Sequence, residues 1–250
     1  MKTIINNLAV EYQEGGIGPV MLLLHGWKQT LHTFDALIPE FAASWRVVRL
    51  DLPGFGGSQP PKEPWGVSEY TVFVKHFCEK LQIKPEILIG HSFGGRIAIK
   101  GVGEKILQPK KVVLLASAGL AKHKTLRNQL FAATAKVGKV ALFLFPLSVQ
   151  ERFRRKLYKE AGSDYLDAGA LRETFLKITR EDLSDLARKI TVPTLLIWGE
   201  NDTAIPLSDG KRLAQLISGS KLKVISGAGH FVHQEKPREV AKLIREFLLS

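Results

Sequence analysis

Apolar positions along this chain fall into two rhythms. Short runs of Val, Ile and Leu, mostly without polar alternation, occur at Leu8 to Tyr12, Val20 to Leu24, Val47 to Leu50, Ile87 to Ile89, Val112 to Leu115, Leu195 to Trp198 and Leu222 to Ile225. Such runs predict strands buried on both faces, as in a parallel sheet covered by helices. Between them, apolar residues recur at helical spacing, as with Tyr70, Val74, Phe77 and Leu81, or Val240, Leu243, Ile244, Phe247 and Leu248. The alternation predicts an α/β fold, a mostly parallel central sheet with helices on both faces. From Leu120 to Ile190 the strand signal stops, and only helix-like segments rich in Leu, Phe, Lys and Arg remain. The economical division is a core of residues 1–119 and 191–250 with a helical cap, 120–190, inserted between two strands.

Composition narrows the class. A length of 250 residues, a mean hydropathy of 0.00 and 24% charged residues describe a globular protein rather than a disordered or fibrous one. The single cysteine excludes an internal disulfide and a finger-type zinc site. Asn6 and Asn7 end any apolar run at the N-terminus before it reaches signal-peptide length, and the apolar stretch Val140 to Leu147 is broken by Pro146. It falls well short of the ~20 residues a spanning helix needs. The expectation is a cytoplasmic chain with no stable membrane insertion.

The sharpest chemical signal is Gly90-His91-Ser92-Phe93-Gly94-Gly95, a G-x-S-x-G pattern directly after an apolar run and before a helix-like segment. In that context the glycines permit a strained turn that lifts a serine hydroxyl clear of the backbone at a helix N-terminus. A serine hydroxyl is a poor nucleophile until a base takes its proton, so an oriented histidine should follow. His230 stands after the run Leu222 to Ile225, in a glycine-containing loop. His233 is the rival base, otherwise a solvated or capping residue. His32, His76 and His123 read as surface residues. Asp202, after Leu195 to Trp198, suits the orienting acid, and Glu200 reads as structural or solvated. Two backbone N–H groups must also face the developing oxyanion. Phe93 would supply one and Trp27, in His25-Gly26-Trp27, the other. The Trp27 indole and Phe93 would wall the acyl pocket.

Together LLLHGW (Leu22 to Trp27), DLPGFGGS (Asp51 to Ser58), GHSFGG (Gly90 to Gly95), WGENDTAIP (Trp198 to Pro206) and GAGHFVHQEKP (Gly227 to Pro237) resemble the α/β-hydrolase superfamily, in its small, cap-bearing, serine esterase-like branch. The resemblance implies Ser92 as nucleophile, His230 as base, Asp202 as its orienter, Trp27 and Phe93 as oxyanion donors, and a structural Asp51. It implies that the insert is a lid.

Fold does not choose the reaction. Haloalkane dehalogenases and epoxide hydrolases of this family carry Asp where Ser92 stands. Carbon–carbon bond hydrolases typically have a Gly-Pro-Gly-like loop and Asn before the serine, against Trp27-Lys28-Gln29 and His91 here. The expected activity is hydrolysis of a carboxylic ester of small to medium acyl chain, or of a lactone, through an acyl-serine. A carbon–carbon hydrolase, a lipase, and a small-molecule receptor with vestigial hydrolysis stay open as alternatives. No P-loop or strand-borne G-x-G-x-x-G is present, so no cofactor or metal is expected. Leu142 and Phe143, in the apolar stretch of the cap, are candidate substrate contacts.

The formal charge of +12 raises nucleic acid as a partner. Its distribution argues otherwise. Residues 120–190 hold 15 Lys/Arg and 8 Asp/Glu, and the remaining 179 hold 21 and 16. The basicity is concentrated in the cap, where Arg154, Arg155 and Lys156 would form a positive rim favouring anionic substrates or surfaces. No nucleic-acid partner is expected, and oligomeric state is not legible.

Overall fold

The computed structural model describes residues 1–120 and 169–250. The chain divides into two compact units, Met1–Leu120 with Glu181–Ser250, and Ala121–Arg180. The strands of the first unit are β1 (Lys2–Ile5), β2 (Leu8–Gly15), β3 (Val20–Leu24), β4 (Arg46–Leu50), β5 (Pro85–His91), β6 (Lys111–Leu115), β7 (Thr194–Gly199) and β8 (Lys221–Ile225). Among the described residues they form one sheet in the order β1-β2-β4-β3-β5-β6-β7-β8. The β1–β2 and β2–β4 pairs are antiparallel, and every pairing from β4 to β8 is parallel.

The strand absent from the sequence reading is β1. Its hairpin turns through Asn6 (φ 50°) and Asn7 (φ 63°), with Ile5 paired to Leu8. Two consecutive left-handed residues make the primed turn that suits a two-residue hairpin, and asparagine tolerates that conformation better than most residues. The asparagines that end the N-terminal apolar run therefore also reverse the chain.

Both faces of the central strands are buried. Met21 and Leu23 join a cluster with Ile87, Ile89, Val113, Leu115, Leu195 and Ile197, while Leu22 and Leu24 between them are equally inaccessible on the other face. Alternating residues of one strand thus serve two cores, which is why no polar alternation is seen.

A 3-10 turn (Leu31–Leu37) leads into α1 (Ile38–Phe41), followed by α2 (Val67–Lys80) and α3 (Phe93–Gly103). Tyr70, Val74 and Phe77 are fully buried along α2, and Leu81 caps its end. In the second unit α4 (Arg172–Arg180) buries Thr174 and Ile178, one turn apart. The first unit resumes with α5 (Ser184–Ala187), α6 (Leu207–Leu216), α7 (Val232–Glu235) and α8 (Pro237–Leu249). Val240, Ile244 and Phe247 of α8 enter the same cluster as Met21 and Leu23.

Residues 181–190, grouped with the cap on composition, lie in the first unit. Leu183 N–H donates to Gly119 O (2.9 Å), so the chain re-enters beside the point where it left. Two buried cations on α3 hold the junction. Lys100 Nζ reaches Glu181 Oε1 (2.7 Å) and Glu104 Oε1 (3.0 Å), and Arg96 donates to the Glu181 carbonyl. Among the described residues, no helix is long and apolar enough to cross a membrane.

Candidate active site

The loops at the carboxyl ends of β3, β5, β7 and β8 carry the chemistry-bearing residues, the end of an α/β sheet where ligands collect. At the end of β5 the chain turns into α3 through Ser92, whose φ of 49° and ψ of −105° are strained for a residue with a side chain. Its surroundings hold it there. Ser92 N–H donates to Leu115 O (3.0 Å), Ser92 O accepts from Ala118 N–H (3.1 Å), and Gly94 N–H donates to His25 O (3.0 Å). The turn runs so close to β3 that a Cβ at Gly94 would lie 2.0 Å from Leu24 O. The Gly94, Gly95 and Arg96 amides are engaged, to His25 O and Ser92 O, and among the described residues the Phe93 amide at the start of α3 has no such backbone partner.

Asp202 follows β7 and is buried. Its Oδ1 accepts from the N–H groups of Ala204 (2.9 Å) and Ile205 (2.8 Å), which turns Oδ2 toward His230 Nδ1 at 2.8 Å. A carboxylate there accepts, so the imidazole proton sits on Nδ1 and Nε2 presents its lone pair. Glu235 grips the backbone on either side of His230, its carboxylate accepting from Gly229 N–H (2.7 Å) and Phe231 N–H (3.1 Å). The His230 loop is joined to the serine turn through His91, whose ring lies 4.8 Å from that of His230 and whose Nε2 is 3.0 Å from the His230 carbonyl.

Trp27 stands after β3, its indole edge-on to Phe55 (4.9 Å) and Phe93 (5.9 Å). The Phe93 ring is buried and also meets Tyr70, 5.0 Å away. Little of that ring is left for a ligand, although its amide stands at the turn. Leu142, Phe143, Arg154, Arg155 and Lys156 lie outside the described residues. Among the described residues, no group of three or more His, Cys, Asp or Glu is placed to hold a metal ion.

One histidine behaves differently from what the sequence suggests. His233, read there as a solvated or capping residue, is inaccessible. It meets Thr33 Oγ1 (2.9 Å) and packs 4.5 Å from His91. The cause is α7, a single turn that folds back under the His230 loop and carries His233 inward. His25 donates from Nδ1 to Gly26 O (2.8 Å) and accepts at Nε2 from Leu52 N–H (2.9 Å). Glu200, by contrast, is exposed. Hydrogen bonds from Ser226 Oγ and Gly227 N–H hold its carboxyl below the usual range. Asp51 accepts from Leu31 N–H (2.7 Å) and Gly57 N–H (2.7 Å), tying two loops together.

Burial pushes His25 down to about 4 against a weaker upward pull from the Gly26 carbonyl and Asp51. Burial also takes His233 down to about 3, and it holds His91 well below the usual histidine range with help from the neighbouring His233 and His230. These rings are neutral when folded and free to protonate when unfolded. The unfolded state therefore binds more protons below about pH 6.5, and stability falls as the pH drops from there toward the folded values. The expected slope between pH 6.5 and 5 is about 1.4 kcal/mol per pH unit for each ring fully protonated on unfolding. Urea unfolding at stepped pH measures it. An unfolding free energy that stays level from pH 7 to 5 would contradict this origin.

The sequence reading missed Gln29, Thr33 and Glu235. The only signal in one dimension is for Glu235, a carboxylate five residues past His230, within reach of amides in the same loop.

The alpha/beta hydrolase family model matches residues 21–243. The chain is 26% identical over 257 residues to the uncharacterized hydrolase YugF of Bacillus subtilis, covering 97% of this chain and 94% of that one. It is 25% identical over 265 residues to epoxide hydrolase 3 of Xenopus tropicalis, covering 92% of this chain and 71% of that one. The enol-lactonase structure from Burkholderia xenovorans LB400 superposes with a TM-score of 0.78 at 23% identity over the whole of both chains, a likeness of fold. With a family model spanning nearly its whole length, the chain belongs to the alpha/beta hydrolase family.

Proposed function

We propose that this hydrolase cleaves carboxylic esters of small to medium acyl chain, lactones included, through an acyl-serine formed on Ser92. The observation that carries the reading is the 2.8 Å bond from His230 Nδ1 to Asp202 Oδ2, which leaves Nε2 as an acceptor in a loop packed against His91 of the serine turn. In the first half-reaction His230 takes the Ser92 proton as Oγ attacks the carbonyl carbon. The tetrahedral oxygen is then stabilised by the Phe93 and Trp27 amides, and the alkoxide leaves with the proton from His230. Water repeats the sequence on the acyl-serine and releases the acid. The serine at the elbow favours acyl transfer over epoxide opening, which in this family uses a carboxylate nucleophile. The reading of residues 120–190 as a lid, and of its basic residues as a rim for anionic esters, rests on sequence.

The test is a panel of p-nitrophenyl esters from acetate to octanoate, alongside γ- and δ-lactones, with a fluorophosphonate probe and peptide mapping of the adduct. Turnover with the adduct on Ser92 is expected. Absence of both turnover and adduct would remove the reading, and binding without turnover would favour a receptor.

Glu235 gives a subsidiary prediction. In Glu235→Gln one side-chain oxygen becomes NH2 and faces an amide donor, loosening the backbone that carries His230. The expected result is a fall in kcat/KM of about tenfold, equivalent to about 1.4 kcal/mol. Steady-state kinetics on the best ester of the panel checks it.

A further inference from the structure

We propose that Gln29 is a positioning residue of this site: its side-chain amide aims the Trp27 N–H by locking the loop that carries it to the nucleophile turn. The inference rests on the acyl-serine reading above. It concerns how the oxyanion donor is held rather than which residues react.

The Trp27 N–H belongs to the peptide plane that begins with the Gly26 carbonyl, so whatever fixes that carbonyl fixes the direction of the donor. Gly26 O accepts from His25 Nδ1–H (2.8 Å) and from Gln29 N–H (3.2 Å). The preceding plane is held at both ends, His25 O by Gly94 N–H (3.0 Å) and Gly26 N–H by Gln29 Oε1 (2.8 Å). Gln29 thus acts on both planes, once through its backbone and once through its side chain. Gly26 N–H is taken up by Gln29 Oε1, and the donor proposed from this loop is the next amide, that of Trp27.

The Gln29 amide is itself oriented. Its Oε1 also lies 2.7 Å from His91 Nδ1, and its Nε2 donates to Thr33 Oγ1 at 2.9 Å. Turning the amide over would set NH2 against the Gly26 N–H. Thr33 Oγ1 accepts a second bond from Gln234 Nε2 (2.9 Å), so its own proton goes to His233 Nε2 (2.9 Å). His91, the residue before the nucleophile, faces the His230 carbonyl through its other nitrogen (3.0 Å). One half-buried amide therefore joins the loop of the oxyanion donor to the turn of the nucleophile, and the neutral His91 ring, which donates from Nδ1, meets the loop of the base through packing against His230. The junction has no slack, since a Cβ at Gly26 would lie 2.6 Å from Gln29 Oε1 and 2.8 Å from His91 Nδ1.

Gln29→Leu keeps the bulk and removes all three side-chain hydrogen bonds. A donor that is misaimed rather than deleted should cost somewhat less than the ~10²–10³ of a lost oxyanion donor. The expected result on a p-nitrophenyl ester is a fall in kcat of about 10- to 100-fold, with KM changed by less than about threefold. An alkylboronic acid, which forms a tetrahedral adduct, should lose affinity by the same factor as kcat/KM. Gln29→Glu, whose oxygen can accept from both Gly26 N–H and His91, should recover most of the lost kcat.

An unchanged kcat in folded Gln29→Leu overturns the proposal. So does a loss carried by KM with boronate affinity intact, which would mark Gln29 as only structural. Should Gln29→Leu fail to fold, Gln29→Asn, too short to span both partners, carries the same comparison. Ser92→Ala run in parallel separates the two levels. Undiminished turnover there removes the acyl-serine reading and the proposal with it, whereas a Ser92-dependent activity indifferent to Gln29 removes the proposal alone.

Discussion

Ser92→Ala is expected to lower kcat for p-nitrophenyl ester hydrolysis by about 10⁴-fold or more, with KM changed little. The change removes one oxygen from a turn whose backbone is held by Leu115, Ala118 and His25, so the fold should survive. Alanine at φ 49° is no more comfortable than serine, and the strain at this position is unrelieved. What disappears is the oxygen on which the proposed acyl bond forms. Any remaining rate should come from the amide donors acting on water attack. Stopped-flow measurement of the p-nitrophenol burst gives the sharper reading. The parent should show a burst when deacylation is slow, and the variant none on any ester. A variant that keeps a burst of normal amplitude would place the acyl group on another residue.

The second large effect is expected at Asp202, where the local bonding decides the outcome. Its Oδ1 accepts from two backbone amides, those of Ala204 and Ile205, and its Oδ2 accepts from His230 Nδ1. An asparagine must keep its oxygen on the two amides, because the NH2 group cannot accept from them. The NH2 then faces His230 and donates to Nδ1, driving the imidazole proton to Nε2, the nitrogen needed as base. Asp202→Asn should therefore retain the loop and lose about 10³- to 10⁴-fold in kcat through the wrong tautomer. NMR of a ¹⁵N-histidine-labelled protein would show the proton on Nε2 of His230 in the variant and on Nδ1 in the parent. A variant within tenfold of the parent, with its proton still on Nδ1, would sink the argument.

The chain discloses these elements unevenly, for physical reasons. Parallel strands buried on both faces are near-continuous Val, Ile and Leu runs, so β3 and β6 are readable almost to the residue from one dimension. β1 is not, because Lys2 and Thr3 give its hairpin no apolar run and its turn depends on two asparagines with positive φ. Ser92, Asp202 and His230 are recognisable because each follows a strand and chemistry restricts the residue types. The residues that hold them are less legible. Gln29 reaches His91 across 62 positions, and Thr33 meets His233 across 200. Polar partners that far apart leave no periodicity to detect. His233 shows the converse error, since a polar residue three positions past a loop histidine looks solvated until α7 turns it inward.

The junction at Gly119 and Leu183 bears on how far the segment between them can vary in length as much as on stability. Among the described residues, Leu183 N–H donates to Gly119 O beside the two ends of residues 121–180, and Lys100 and Arg96 anchor the return. Closing a longer or shorter segment across a fixed gap costs only the logarithm of its length. The sheet and its four loops can then stay unaltered while the inserted segment is lengthened, trimmed or exchanged. The junction is a socket, at which residues 121–180 can be changed in length without rebuilding the sheet.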